Sequence, residues 1–354
     1  MVRLAEGPPK RRLYYSFRYR IGEYGLRSFV ALLAWVPYRC VAFFTSVMAR
    51  LSFMLLSKYR TRMEANVESA LGEQITDPAQ RKALLRRAWH NFALGVLDTM
   101  AVMHMAKKQI AATIALEGEE HLKQALANGK GVIALSAHLG AFTLIGPRLA
   151  AAGYSFSVVV KHPNDARFAR VMTDYRAQTG VNTISAKPRQ EAVRGILNAL
   201  RRNGIVLVIA DEFKSGGVEV SFMGQKAAAP RGPASLALRT GAVTLPMFAP
   251  RAPDGSVVLQ IGPEIELVCH EDVDASVAAT TRLFTSHIEA AVRRFPDQWN
   301  WLGFPRRDRV SRAEYWRRYK EAKKRAARAA AGGPEPGIGR SGSARSNSSN
   351  RSSR

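Results

Sequence analysis

A chain of 354 residues with 47% apolar and 23% charged side chains has the composition of a folded protein with a sizeable core, which excludes a disordered or fibrous chain. Its 53 Lys and Arg against 28 Asp and Glu give a net charge of +25, while only two cysteines, Cys40 and Cys269, argue against a disulfide framework or a zinc site. Residues 1–27 hold seven basic and two acidic residues and residues 320–354 nine and two, so the ends carry +12 and the body +13; nucleic acid, an anionic membrane and phosphorylated or acidic substrates are all admissible partners.

The first strong signal along the chain is the apolar run from Phe29 to Ser57, FVALLAWVPYRCVAFFTSVMARLSFMLLS, broken at Arg39 and Arg50. No uninterrupted stretch reaches the ~20 residues of a spanning helix. The run starts late for a secretory signal and has no small-residue cleavage site, so it reads as retained. Arg18, Arg20 and Arg27 precede it and Lys58, Arg60 and Arg62 follow, as expected of helices lying in or dipping into an anionic leaflet. A helical pair buried under the main domain, or a tilted span with a snorkelling arginine, fits the same run.

Residues 63–112 read as amphipathic helices, one of them opening on Asp77 and Pro78 as N-cap and first-turn pair. From residue 115 the pattern alternates. GVIALSA, YSFSVVVK, GIVLVIAD and AVTLPMFA look like strands; TLIGPRLAAAG, DARFARVMTDYRAQTG, PRQEAVRGILNALRRNG and GPASLALRTG look like helices ending in glycine. The fold class is therefore α/β, a mostly parallel central sheet flanked by helices, with an N-terminal apolar, membrane-associated helical region. The expected division is a basic N-terminus with membrane-associated helices at 1–62, an α/β domain at 63–312, and a basic helix with a low-complexity Ser/Arg/Gly-rich tail at 313–354.

In such sheets ligands gather at the carboxyl ends of the strands, where His138 and the pair Asp211 and Glu212 fall. Most of the seven histidines read as ordinary core or surface groups. His138 differs because it follows a buried strand and precedes Gly140, which would let a substrate approach the backbone, and then a helix whose amino end favours anions. A general base there could take a proton from a hydroxyl while nearby amides stabilise an oxyanion.

The segments SAHLGAFTLIG, LVIADE, VSFMGQKAAAPRGPASLALRTGAVTLPMF and FPDQWNWLGFPRR, in that order, resemble the bacterial late acyltransferases of lipid A biosynthesis and their relatives in the lysophospholipid acyltransferase superfamily. The resemblance covers roughly residues 12–310. It implies transfer of a fatty acyl group from acyl carrier protein or coenzyme A to a hydroxyl of a lipid A precursor or related lipid, at the cytoplasmic face of the inner membrane, without cofactor or metal. The family's histidine is followed, after four residues, by Asp or Glu; here that position is Thr143. Another carboxylate, Asp211 foremost, takes over the role, or His138 acts unassisted, or the chain is a noncatalytic lipid-binding relative. Lys161 and Arg176 match basic positions of the family and are phosphate-binding candidates, with solvated strand or helix ends as the alternative; Arg231, at a helix start, could bind the same anion. Phe222 and Gly224 read as structural. A nucleic-acid binder would explain the charge, but no helix-turn-helix, zinc-finger or aromatic RNA-binding signature is present.

Overall fold

The computed structural model describes residues 38–305, apart from 104, 163–165 and 214–215, together with a few positions between 20 and 36. The expectations for the basic N-terminus, for residues 29–34 of the apolar run and for the tail at 313–354 lie outside the described residues.

Helix α1 (Tyr38–Leu55) is two-sided. Val41, Ala49 and Phe53 point inward, whereas Phe43, Phe44, Met48, Leu51, Met54 and Leu55 are exposed. At Leu56 the chain turns into α2 (Ser57–Leu71), where the Arg60 guanidinium donates to the carbonyls of Phe53 (2.9 Å) and Met54 (3.1 Å), groups that the end of α1 leaves unbonded. No single described helix is long and apolar enough to cross a membrane; Arg39–Leu55 and Ser57–Leu71 meet that test only together, bent by 85°. Helix α3 (Pro78–Val102) starts where the sequence places it, the Asp77 carboxylate accepting from the Ala79 amide at 2.8 Å. Ser46 and Ser52 of α1 bond His90 (2.8 Å) and Trp89 (2.9 Å) of α3, locking the two helices together.

Helices α4 (Lys107–Thr113), α5 (Glu119–Ala127), α6 (Ile145–Ala151), α7 (Ala166–Gln178), α8 (Arg189–Arg201), α9 (Gly232–Thr240) and α10 (Val273–Arg294) surround a seven-stranded sheet. Its strands are β1 (Ile114–Glu117), β2 (Val132–Ser136), β3 (Phe156–Val160), β4 (Val181–Ser185), β5 (Ile205–Ile209), β8 (Val243–Phe248) and β9 (Val257–Ile261), in the order β1-β9-β8-β2-β5-β3-β4. All neighbours are parallel except β8 and β9. Every residue of β2 is buried, because the strand lies mid-sheet with apolar layers on both faces. Ile133 and Leu135 join the layer containing α2, α3, α9 and α10; Val132 and Ala134 join the layer containing α5 and α6.

A separate hairpin, β6 (Val218–Phe222) and β7 (Gln225–Ala229), turns at Met223 and Gly224, both with positive φ (52° and 75°), as a two-residue type I′ turn requires. It carries the fully buried Phe222 into an aromatic cluster with the buried Trp299 and Phe304 and the partly buried Phe213.

Candidate active site

The register of β2 on β5 sets the site. Ser136 pairs with Ile209, so continuing both chains two residues past the sheet puts His138 opposite Asp211. There the His138 Nδ1 lies 2.8 Å from Asp211 Oδ1, and the His138 backbone N–H donates to Oδ2 at 2.9 Å. The Trp299 indole N–H donates to the same Oδ2 at 2.9 Å. A carboxylate is acceptor-only and can take all three. Asp211 is only 4% exposed, so its orientation is fixed by contacts that water does not compete for.

Trp299 is itself held by the fold. Its segment runs beside the histidine, the Gly140 amide donating to Gln298 O (2.9 Å) and the Asn300 amide to His138 O (3.1 Å). Phe222 and Trp301 pack on its ring, with centroids 5.5 and 5.1 Å away. Sequence reasoning did not assign Trp299 a role. The signal was available: an indole in an apolar closing segment needs a buried acceptor.

Because Nδ1 faces Asp211, the tautomer with Nδ1–H leaves Nε2 as the basic nitrogen, on a side chain that lines the main cavity. That cavity, about 980 Å³, runs over the carboxyl ends of β3 and β5 and reaches both faces of the sheet. Phe142, Leu144, Phe156, Val158 and Leu207 form apolar wall on one face; Val159, Ile196, Val208 and Leu236 do so on the other. Lys161, Arg176, Lys187, Arg189, Arg231 and Arg239 line it as well, against the one carboxylate of Glu212 among the described residues.

The predicted binding residues divide. Lys161 and Glu212 line the cavity and are exposed. Arg176 also lines it, but one guanidinium nitrogen is buried without a hydrogen-bond partner, and burial lowers its pKa from the ordinary arginine value. Arg231 lines the cavity as expected at the start of α9, but it is ion-paired to Asp274. Gly140 is not among the lining residues: its positive φ (59°) serves a close approach of chain to chain, since a Cβ there would meet Ala249 O at 2.4 Å. The amides after the histidine are likewise engaged, Leu139, Gly140 and Ala141 donating to Ala137, Gln298 and Ala249 carbonyls. The helix expected after His138 is a short 3₁₀ turn (Phe142–Leu144) leading into the seven-residue α6. Thr143 is exposed and its hydroxyl lies 2.6 Å from that of Thr99, which bonds back to Gly95 O.

Residues 16–304 match the family described as bacterial lipid A biosynthesis acyltransferase. A phosphatidylinositol mannoside acyltransferase of Mycobacterium tuberculosis is 27% identical over 187 residues, which are 52% of this chain and 57% of that protein. The protein of the same description from Mycolicibacterium smegmatis is 25% identical over 185 residues, 52% of this chain and 59% of its own length. A lipid A biosynthesis acyltransferase of Haemophilus influenzae is 26% identical over 281 residues, 77% of this chain and 84% of that protein. The match thus spans little more than half the length of the mycobacterial relatives and most of the Haemophilus one.

Proposed function

The chain belongs to the bacterial lipid A biosynthesis acyltransferase family, and from that premise we propose that it transfers a fatty acyl group from the thioester of acyl carrier protein or coenzyme A to a hydroxyl of an anionic glycolipid. In this reading His138 Nε2 takes the acceptor's O–H proton as its oxygen attacks the thioester carbonyl. The tetrahedral intermediate collapses, the C–S bond breaks, and the departing thiolate takes the proton from the imidazolium, yielding an ester and a free thiol. Asp211 holds the ring with Nε2 toward the cavity and stabilises the charged imidazolium, the part that the family's missing carboxylate at Thr143 would otherwise be asked to play.

The observation that carries this reading is the pairing of His138 with a buried carboxylate gripped by two further N–H donors. The apolar walls suit an acyl chain. Arg176, desolvated with an unsatisfied donor, suits an anionic oxygen of the bound lipid, and Lys161 at the rim would reinforce it. Work takes place at the cytoplasmic face of the inner membrane, where thioester donors are made, with the exposed apolar face of α1 toward the lipid.

The test is to offer purified protein acyl carrier protein and coenzyme A thioesters with lipid A precursor or lysophospholipid and to follow product lipids by mass spectrometry. One added acyl chain, lost in His138→Ala, is expected; lipid binding with no acyl product across such a panel contradicts the enzyme reading.

A further inference from the structure

A second cavity, about 830 Å³, lies away from His138, between α1, α2 and α3. Its floor includes the buried apolar side chains Ala49 and Phe53; its rim is basic. Two of the rim cations are already committed: Arg60 caps α1 and pairs with Glu64 (3.6 Å), and Arg87 pairs with Asp297 (3.0 Å). Arg50, Lys82 and Arg86 are exposed, and no ion pair involves any of them among the described residues. Lys82, Arg86 and His90 follow one another at i, i+4 and i+8 along α3, so they form one stripe facing the cleft. Three uncompensated cations set around an apolar floor repel one another, and an occupying anion would remove that cost.

The neighbouring surface identifies the anion's source. Met54 lines this cleft and also belongs to the outward face of α1, and Arg50 stands one turn before it on the same edge. That outward face is apolar over Phe43, Phe44, Met48, Leu51, Met54 and Leu55, all exposed, a composition that is expensive against water. Cations grouped beside an apolar helix face match a molecule carrying phosphate at one end and hydrocarbon at the other. An acidic protein would satisfy the charges and leave the apolar face bare.

We propose that the cleft between α1, α2 and α3 binds the phosphate headgroup of an anionic membrane phospholipid through Arg50, Lys82 and Arg86, with its acyl chains along the outward face of α1. This is a docking site separate from the catalytic cavity, and it would stand or fall independently of the acyl-transfer reading.

The test is co-sedimentation of the full chain with phosphatidylcholine vesicles, with and without about one-third phosphatidylglycerol, near physiological salt. Three variants decide it: Arg50→Gln with Arg86→Gln in the cleft; Arg50→Lys with Arg86→Lys, which keeps the charge; and Arg201→Gln with Arg202→Gln, the same charge loss on the exposed end of α8. The cleft glutamine pair is expected to lose roughly 10- to 30-fold in partitioning to anionic vesicles, about fivefold per charge, and little to neutral ones; the lysine pair should retain most of it and the α8 pair should lose less than about threefold. Acyl transfer measured in detergent micelles should be unchanged in the cleft pair. Equal losses in the cleft and α8 pairs would reduce the effect to bulk charge and overturn the site. Unaltered vesicle binding with weakened use of acyl carrier protein would also overturn it, reassigning the cations to an acidic protein.

Discussion

The carboxyl end of β2 and the outer face of α1 treat their chemically demanding groups in opposite ways. At His138 the chain supplies its own partners: Asp211 meets the imidazole, a backbone amide and an indole, and the next three amides, of Leu139, Gly140 and Ala141, donate to backbone carbonyls. On α1 and in its basic cleft the partners are missing: large side chains face outward, Phe43 and Phe44 each 66% exposed, and Arg50, Lys82 and Arg86 stand without counter-ions among the described residues. The first arrangement is preorganised, so its groups are already aligned when substrate arrives. The second exposes apolar surface and like charges to water, a cost that the lipid surface proposed above would relieve. On the proposed function, chemistry would belong to the saturated region and location to the unsaturated one.

That separation predicts different phenotypes. His138→Ala should lower turnover by about two to four orders of magnitude while leaving vesicle binding intact, as read by product formation and co-sedimentation on the same preparation. Loss of both together would break the division. Phe44→Ser combined with Leu51→Ser should do the reverse, weakening binding to bilayers about 10- to 100-fold through lost apolar burial, with thermal stability nearly unchanged because both side chains are exposed. A large drop in melting temperature would show that this face packs against protein.

Smaller effects sharpen the picture inside the site. Trp299→Phe keeps most of the ring but removes one donor from Asp211, and should reduce kcat about tenfold with little change in KM. A pure KM effect would mean that Trp299 shapes the cavity and does not position the carboxylate. Thr143→Ala should change kcat less than about threefold, since the hydroxyl is exposed and engages Thr99. A hundredfold loss would return the family position to the chemistry.

How much of this was legible in the sequence depended on distance along the chain. The apolar runs of β2, β3, β5 and β8 could be read because these interior strands are buried on both faces, β2 and β8 over nearly their whole length and β3 and β5 at their starts, and so lose the alternation of polar residues. Edge strand β4, VNTIS, is only partly buried and includes Asn182, Thr183 and Ser185, so it resembles loop; β1 has four residues, too few for a period to show. His138 and Asp211 could each be placed at a strand end. Their contact needs the β2–β5 register, which joins residues 73 apart, and no local pattern encodes that offset. Gly140 was visible as a special backbone position, whereas the neighbour it admits, Ala249, lies more than a hundred residues away. Arg231 read as a free anion site because its partner Asp274 stands on α10, which the helix-start pattern around 231 does not reveal.

The central claim is that Asp211 supplies the charge that the family pattern would put at position 143. The direct measurement is single-turnover acyl transfer by wild type, Asp211→Asn, His138→Ala and the double variant, with folding verified for each. If the pair acts as one unit, Asp211→Asn should cost nearly as much as His138→Ala, and the double variant should be little worse than either. Wild-type turnover in Asp211→Asn would contradict the account, and so would losses that simply multiply.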